Sequence, residues 1–159
     1  MQIRIVAVGK LKEKYWQAGV EEYQKRLRVY TKLELIEVEE ERCPETLSPA
    51  QELQVKDREG DKIIKAILPG SFVIALNLTG KEYSSEQFAD FIADLSLKGR
   101  SQFTFIIGGS LGLSEGVLAK ADLHLVFSRF TFPRQLIRVV LLEQIYRAFR
   151  IIRHEPYHK

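Results

Sequence analysis

The regular alternation of strand-like and helix-like segments is the feature that most narrows the folds open to this chain. Short apolar or alternating runs predict five strands, at 2–8, 33–38, 72–77, 103–107 and 123–127. Between and after them, apolar residues spaced three and four apart predict helices at about 12–29, 50–67, 84–97 and 134–153. This order is typical of an α/β fold with a mostly parallel sheet.

The length of the chain and the absence of linkers favour a single domain. The sequence has 159 residues and no internal repeat, low-complexity stretch or linker, so we expect one domain over 1–159. No apolar run reaches the roughly 18 residues of a membrane span, and the N-terminus does not look like a signal peptide. Cys43 is the only cysteine, which excludes an internal disulfide and a cysteine zinc cluster. We therefore expect a cytoplasmic protein without a membrane or metal partner.

The last predicted helix is apolar around most of its circumference. A sheet can cover only one face of a helix, so this helix needs a second covering surface. A second copy of the chain would supply that surface and make the protein a homodimer. The alternative is that an N-terminal helix of the same chain covers it.

Charge is distributed unevenly along the sequence. The stretch 34–61 holds ten acids and three bases, whereas the stretch 129–159 holds seven bases and two acids. A basic C-terminal end suits a polyanion such as RNA. It is equally the pattern of a solvated helix face on which arginine stems pack.

Three predicted strand ends carry candidate binding residues, because open parallel sheets bind ligands beyond the carboxyl ends of their strands. The segments are 76–81 (LNLTGK), 108–112 (GGSLG) and 127–133 (FSRFTFP). GGSLG matches neither a Walker loop nor a dinucleotide fingerprint, so it predicts a plain turn or a ligand loop. The three phenylalanines of 127–133 would form an apolar slot for a purine ring or belong to the core.

The C-terminal tail, residues 154–159 (HEPYHK), is dense in titratable groups. Such a short tail is commonly frayed, but its composition also suits contact with a base or with RNA. The chain has only three histidines and no metal-binding or Ser-His-Asp spacing, which disfavours a hydrolytic metal site.

Taken together, five segments in this order resemble the RlmH family of SPOUT-class methyltransferases. They are AVGK at 7–10, GGSLG at 108–112, TFPRQLIRV at 131–139, EQIYRA at 143–148 and PYHK at 156–159. The resemblance covers the whole chain. It departs at Arg134, where members commonly carry histidine.

The resemblance implies a Rossmann-like sheet with a C-terminal trefoil knot, an obligate homodimer and S-adenosylmethionine as methyl donor. It implies methylation of N3 of a pseudouridine in 23S rRNA, on the large subunit or the assembled ribosome. The implied cofactor contacts are Leu76, Gly108, Phe127, Ser128, Arg129, Phe130, Thr131 and Phe132.

The tail is the predicted catalytic element. Tyr157 or His158 would help to remove the N3 proton, reaching the base across the dimer, while Arg134 and Lys159 would contact RNA phosphates. Two alternatives remain: a SPOUT methyltransferase acting on another RNA such as tRNA, and a non-catalytic RNA-binding module. A nucleotide-binding oxidoreductase is disfavoured because the phosphate fingerprint is missing.

Overall fold

Ten helices and strands alternate along the chain in the computed structural model, which describes all residues 1–159. In chain order they are β1 Gln2–Val8, α1 Lys14–Leu27, β2 Lys32–Val38, α2 Pro49–Ala66, β3 Phe72–Glu82, α3 Ser85–Leu97, β4 Gln102–Ile107, α4 Glu115–Lys120, β5 Leu123–Val126 and α5 Arg134–Ile152. The strands form one sheet in the order β2-β1-β4-β3-β5. Every neighbouring pair is parallel, which confirms the predicted α/β sheet.

Both faces of the sheet are covered by helices, and β1 shows how the sequence divides between them. Its Ile3, Ile5 and Ala7 belong to the larger core cluster, which includes residues of α1, α3 and α5. The intervening Val6 and Val8 belong to a smaller cluster with residues of α2 and α4. Burial on two sides explains why β1 and β4 are apolar at most positions.

Serine caps begin α2 and α3. Ser48 and Ser84 each accept a hydrogen bond from the backbone of a glutamine three residues on, and the glutamine side chain returns the bond. These capping boxes start α2 and α3 within one residue of the predicted positions. Neither these helices nor the other three combine the length and apolar character that spanning a bilayer requires.

The predicted end of β3 is wrong. The strand was expected to stop at residue 77, but it bulges after Leu76 and pairs with β5 again at Lys81 and Glu82. Gly80 permits this return, because a Cβ there would lie 2.7 Å from the carbonyl carbon of Leu125. The segment 76–81 is therefore a bulge inside a strand.

The short helix α4 was also missed. It has six residues, too few to show helical periodicity, although Ser114 caps it by accepting a hydrogen bond from the Val117 backbone at 3.2 Å. The other predicted bounds agree with the structure to within two residues. The trefoil knot stays a prediction.

Helix α5 is covered on two sides within one chain, by α1 and by α3. Gly19 of α1 lies so close to it that a Cβ would meet the Val139 side chain at 3.3 Å. The N-terminal helix thus supplies the second covering surface that the sequence required. The homodimer stays a prediction.

Candidate functional site

A cavity of about 540 Å³ opens at the carboxyl edge of the sheet. Its walls come from the bulge of β3, the loop after β4, the end of β5 with the loop that follows, and the first turn of α5. Residues 76–78, 107–113, 125–128, 130–135 and Ile137 line it. The volume falls within the range of pockets that hold small organic ligands.

The GGSLG segment is both a tight turn and a wall of this cavity. The Gly112 amide donates a hydrogen bond to the Gly109 carbonyl at 3.1 Å, and Gly112 has a φ of +85°. A Cβ on Gly108 would lie 2.9 Å from the Leu113 side chain. The glycines therefore leave bare backbone facing the cavity, where amides and carbonyls can bind a ligand.

The aromatic loop after β5 divides between core and cavity. Phe127 is half-buried and packs against the larger core cluster while also lining the cavity. Phe130 is 78% exposed, so its ring is free to contact a ligand. Ser128 accepts a hydrogen bond from the Phe130 amide at 3.1 Å, which shapes the loop. Within this segment, Phe127 belongs partly to the core, whereas Phe130 is available to a ligand.

Seven of the eight predicted cofactor residues line the cavity, and so does Arg134. The seven are Leu76, Gly108, Phe127, Ser128, Phe130, Thr131 and Phe132. Arg129 does not line it and is exposed. The structure therefore brings together residues that lie more than 50 positions apart in sequence.

Arg134 stands at the rim of the cavity, paired with an acid of the β2–α2 loop. Its guanidinium lies 2.8 Å from the Glu40 carboxylate. Both side chains are partly exposed, so another anion can replace Glu40 as the partner of the Arg134 guanidinium.

Arg138, one turn further along α5, has a structural role that the sequence did not reveal. It is buried and donates hydrogen bonds to the carbonyls of Val8 at 2.9 Å and Gly9 at 2.7 Å. Burial lowers the pKa of Arg138. The Glu37 carboxylate lies 3.7 Å from the Arg138 guanidinium, and its charge raises the same pKa and partly opposes the effect of burial. This contact ties the start of α5 to the carboxyl end of β1 and so positions one wall of the cavity.

A buried acid behind the glycine loop was also missed. Glu59 of α2 is 3% exposed and accepts a hydrogen bond from the Glu41 amide at 3.0 Å. Its Oε1 lies 2.6 Å from the place where a Cβ of Gly109 would be. Burial is the main cause that raises the pKa of Glu59. Within an amphipathic helix of many charges, no sequence signal distinguished this acid.

The tail folds back along α5 instead of fraying. His154 takes a left-handed φ of 54°, which ends the helix and reverses the chain. Arg150 then donates a hydrogen bond to the Pro156 carbonyl at 2.9 Å. Lys159 at the end is exposed.

Tyr157 packs against the side of α5. Its hydroxyl donates a hydrogen bond to the Glu143 carboxylate at 3.1 Å, and the Arg147 guanidinium lies 4.7 Å from its ring centre. Burial, with a hydrogen bond to Tyr23 and the nearby Glu143 charge, raises the pKa of Tyr157 to about 12. The phenol therefore keeps its proton at neutral pH.

His158 bridges two helices. Its Nε2 lies 2.6 Å from the Glu86 carboxylate on α3, and its Nδ1 lies 3.2 Å from an Arg147 nitrogen on α5. Because a carboxylate only accepts and a guanidinium only donates, these partners require a proton on Nε2 and a lone pair on Nδ1 in the neutral ring.

The tail does not meet the cavity of its own chain. No tail residue lines the cavity, and the α5 residues that hold Tyr157 lie beyond Ile137, the last cavity residue on the helix. Glu143 is six positions further, or about 9 Å along the helix axis. The predicted cofactor residues and the predicted catalytic residues thus form two separate groups.

No three histidine, cysteine or carboxylate side chains come together in a way that could hold a metal ion. Apolar cavity walls, bare glycine backbone and a basic rim together define the class of protein: an α/β protein with a cavity suited to a small organic ligand at the carboxyl edge of a parallel sheet.

Comparison with known proteins identifies the family. The chain belongs to the SPOUT methyltransferases, because the family model described as a predicted SPOUT methyltransferase matches residues 1–158. The relatives confirm the resemblance to RlmH. A protein of Carboxydothermus hydrogenoformans named ribosomal RNA large subunit methyltransferase H is 59% identical, and one of Clostridium tetani with the same name is 57% identical. Each alignment covers all of both chains.

A solved structure agrees at the level of the fold. A probable methylase family protein from Haemophilus influenzae superimposes with a TM-score of 0.55 over 99% of this chain and 70% of that one. At 14% identity the likeness concerns the fold alone.

Proposed function

We propose that this SPOUT methyltransferase transfers a methyl group from S-adenosylmethionine to N3 of a pseudouridine in 23S rRNA. Its substrate would be the large ribosomal subunit or the assembled ribosome, and the chain would act as one domain over 1–159. The observation that carries the proposal is the cavity built by the predicted cofactor residues. Support comes from full-length relatives at 57–59% identity that are named as large-subunit rRNA methyltransferases.

The cavity fits S-adenosylmethionine in size and in chemistry. A volume of about 540 Å³ suits a ligand of this size, and the bare backbone at Gly108 with the exposed Phe130 ring suits adenosine. When bound, S-adenosylmethionine supplies a methyl group that its sulfonium makes electrophilic. Leu76, Gly108 and the 127–132 loop would hold it, with Arg129 on the solvent side of that loop.

The protein's own contribution would be to position the base and remove its N3 proton. Alignment of reacting groups supplies several kcal/mol, and a positioned base adds roughly 10²- to 10⁴-fold in rate. His158 suits the role of proton acceptor because its Nδ1 carries a lone pair, whereas Tyr157 keeps its proton and holds the tail. Lys159 and Arg134 would contact phosphates, which predicts salt-sensitive binding.

A homodimer would bring the two groups together. Within one chain the tail and the cavity are separated along α5, so the catalytic site is incomplete. A second copy that packs against α5 could place its tail at the first copy's cavity. We therefore propose that each active site combines the cavity of one protomer with the tail of its partner.

Cofactor binding is the first test. Titration calorimetry of S-adenosylmethionine, with NAD as control, should show binding of S-adenosylmethionine alone. The proposed use of the cavity would be contradicted if the folded protein bound neither compound, or if it bound NAD.

Methyl transfer to RNA is the second test. Tritium from labelled S-adenosylmethionine should enter 23S rRNA of ribosomes from a strain that lacks this modification, at N3 of a pseudouridine. Transfer to tRNA but not to ribosomes would replace the proposed substrate, and cofactor binding without transfer to any RNA would refute the proposed reaction.

A further inference from the structure

The contact between Glu86 and His158 joins two segments that the sequence separates by 72 positions. Glu86 lies in the first turn of α3, directly after the Ser84 cap, and its carboxylate lies 2.6 Å from Nε2 of His158. On the opposite side of the ring, Nδ1 lies 3.2 Å from a nitrogen of Arg147. The imidazole is thus held from both sides by charged groups that select its tautomer.

We propose that Glu86 is a positioning residue for the methylation reaction: it fixes His158 as the Nε2–H tautomer and thereby makes Nδ1 the proton acceptor. The inference rests on the proposed function, because it requires the tail to act on the target base. A carboxylate that accepts the far N–H of an imidazole orients the ring and stabilises the imidazolium that forms.

Proton transfer in this arrangement is balanced. The N3–H bond of the pseudouridine breaks, its electron pair stays on N3, and the proton goes to Nδ1 of His158. The ring then carries a proton on each nitrogen and a positive charge, which the Glu86 carboxylate faces at Nε2. The proton returns to solvent before the next cycle.

Arg147 can release Nδ1 without losing its own position. Its guanidinium also donates two hydrogen bonds to Glu143, at 2.9 and 2.5 Å, which anchor it to α5. The contact with Nδ1 is the longest of these and is the one that the target base would replace. Two carboxylates, Glu86 and Glu143, then face two cations, Arg147 and the protonated His158.

The charge on Glu86 is present throughout the working range of pH. A hydrogen bond from its own backbone amide, with the contact to His158 and the Ser84 hydroxyl, lowers the pKa of Glu86 to about 2. Because the Glu86 side chain is 58% exposed, its contact with His158 lies at the surface and contributes little to folding. Replacing Glu86 therefore leaves the fold intact and isolates its effect on His158.

The test compares Glu86→Gln with the control Asp90→Asn. The control removes the same charge one turn further along α3, where Asp90 is exposed and makes no hydrogen bond to the tail. Nitrogen-15 NMR of the histidine rings should show the Nε2–H tautomer of His158 in the wild type and in Asp90→Asn. Glu86→Gln should show a larger share of the Nδ1–H tautomer, because an amide can either accept from Nε2–H or donate to a bare Nε2 and so no longer selects one tautomer as a carboxylate does. Single-turnover methylation of ribosomes should be slower by roughly tenfold in Glu86→Gln and unchanged in Asp90→Asn.

A double mutant separates positioning from a general effect on the protein. If Glu86 acts through His158, adding Glu86→Gln to His158→Ala should cause no further loss of rate. Wild-type rate in Glu86→Gln, an unchanged tautomer, or additive losses in the double mutant would each overturn the inference. S-adenosylmethionine binding and methylation by the wild-type protein test the proposed function separately, and S-adenosylmethionine affinity should be the same in Glu86→Gln as in the wild type.

Discussion

Gly109 and Glu59 form a restrictive contact between single residues beside the cavity. The Glu59 carboxylate occupies the space that a side chain on Gly109 would need, at 2.6 Å. The same carboxylate is tied to the Glu41 amide, so it cannot move away freely. Gly109 lines the cavity and Glu59 does not, but the buried Glu59 carboxylate is the reason that this position must be glycine.

Gly109→Ala should therefore weaken both stability and cofactor binding. We expect a loss of about 1–3 kcal/mol in unfolding free energy from overpacking. Displacement of the wall should weaken S-adenosylmethionine binding about tenfold. Urea unfolding and calorimetry measure the two effects. Gly116→Ala is the matched control, because a Cβ at Gly116 would lie 3.9 Å from its nearest neighbour and this position should accept the methyl group. Equal losses in both variants would contradict the prediction.

Glu59 also predicts a pH dependence of stability. Its folded-state pKa is raised by burial above the ordinary value of 4.5, so the folded protein binds this proton more tightly than the unfolded chain. The contribution of Glu59 to stability is present at pH below 4.5 and is lost as the pH rises through the raised value.

Glu59→Gln removes this titration and keeps an oxygen to accept from Glu41. The stability of the variant relative to the wild type should increase as the pH rises from 4 to 7, measured by urea unfolding at fixed salt. A constant difference over that range would show that Glu59 has no raised pKa in the fold.

At the scale of elements, α5 connects the two halves of the candidate site. Its 19 residues span about 28 Å, from Arg134 at the rim of the cavity to the turn at His154 that sends the tail back. Side chains of its second half, including Glu143 and Arg147, hold Tyr157 and His158. The EQIYRA and PYHK segments of the sequence therefore act as one unit, the first binding the second.

Deleting residues 156–159 should abolish methylation of ribosomes while leaving S-adenosylmethionine affinity unchanged, because the tail does not line the cavity of its own chain. The loss of stability should be about 1–2 kcal/mol, chiefly from the contact of Tyr157 with Tyr146. Unaltered methylation and RNA binding in the truncated protein would exclude a role of the tail in catalysis.

For the whole molecule, the proposed homodimer would make the assembly part of the mechanism, because the tail and the cavity are separate within one chain. A symmetric dimer contains two composite sites, each with residues from both protomers. Inactivation of the cavity and inactivation of the tail then become complementary defects.

Mixed dimers test this arrangement. Gly108→Val blocks the cavity, since even a Cβ there lies 2.9 Å from Leu113, and His158→Ala disables the tail. Each homodimer should be inactive, whereas a dimer of one chain of each kind should regain one working site. Inactive mixed dimers would show that the tail serves its own chain, and a monomer in sedimentation experiments would contradict the assembly itself.

Local pattern was sufficient for most of the fold. The apolar or alternating runs at 2–8, 33–38 and 103–107 predicted β1, β2 and β4, and apolar residues spaced three and four apart predicted the four longer helices. These signals depend on neighbours within about one turn or one pleat. They fail where the structure depends on distant contacts, as in the bulge at Gly80, which exists because β5 passes close by.

The candidate site shows the same difference between what local sequence patterns predict and what distant contacts decide. Residues of the cavity could be proposed from the sequence, because glycines and aromatics at the ends of parallel strands share one edge of a sheet and their motifs match a family. The roles of Arg138, Glu59 and Glu86 were decided only by the tertiary structure. Each depends on the burial or the partner of one charged side chain, and those are set by elements distant in sequence that fold onto it.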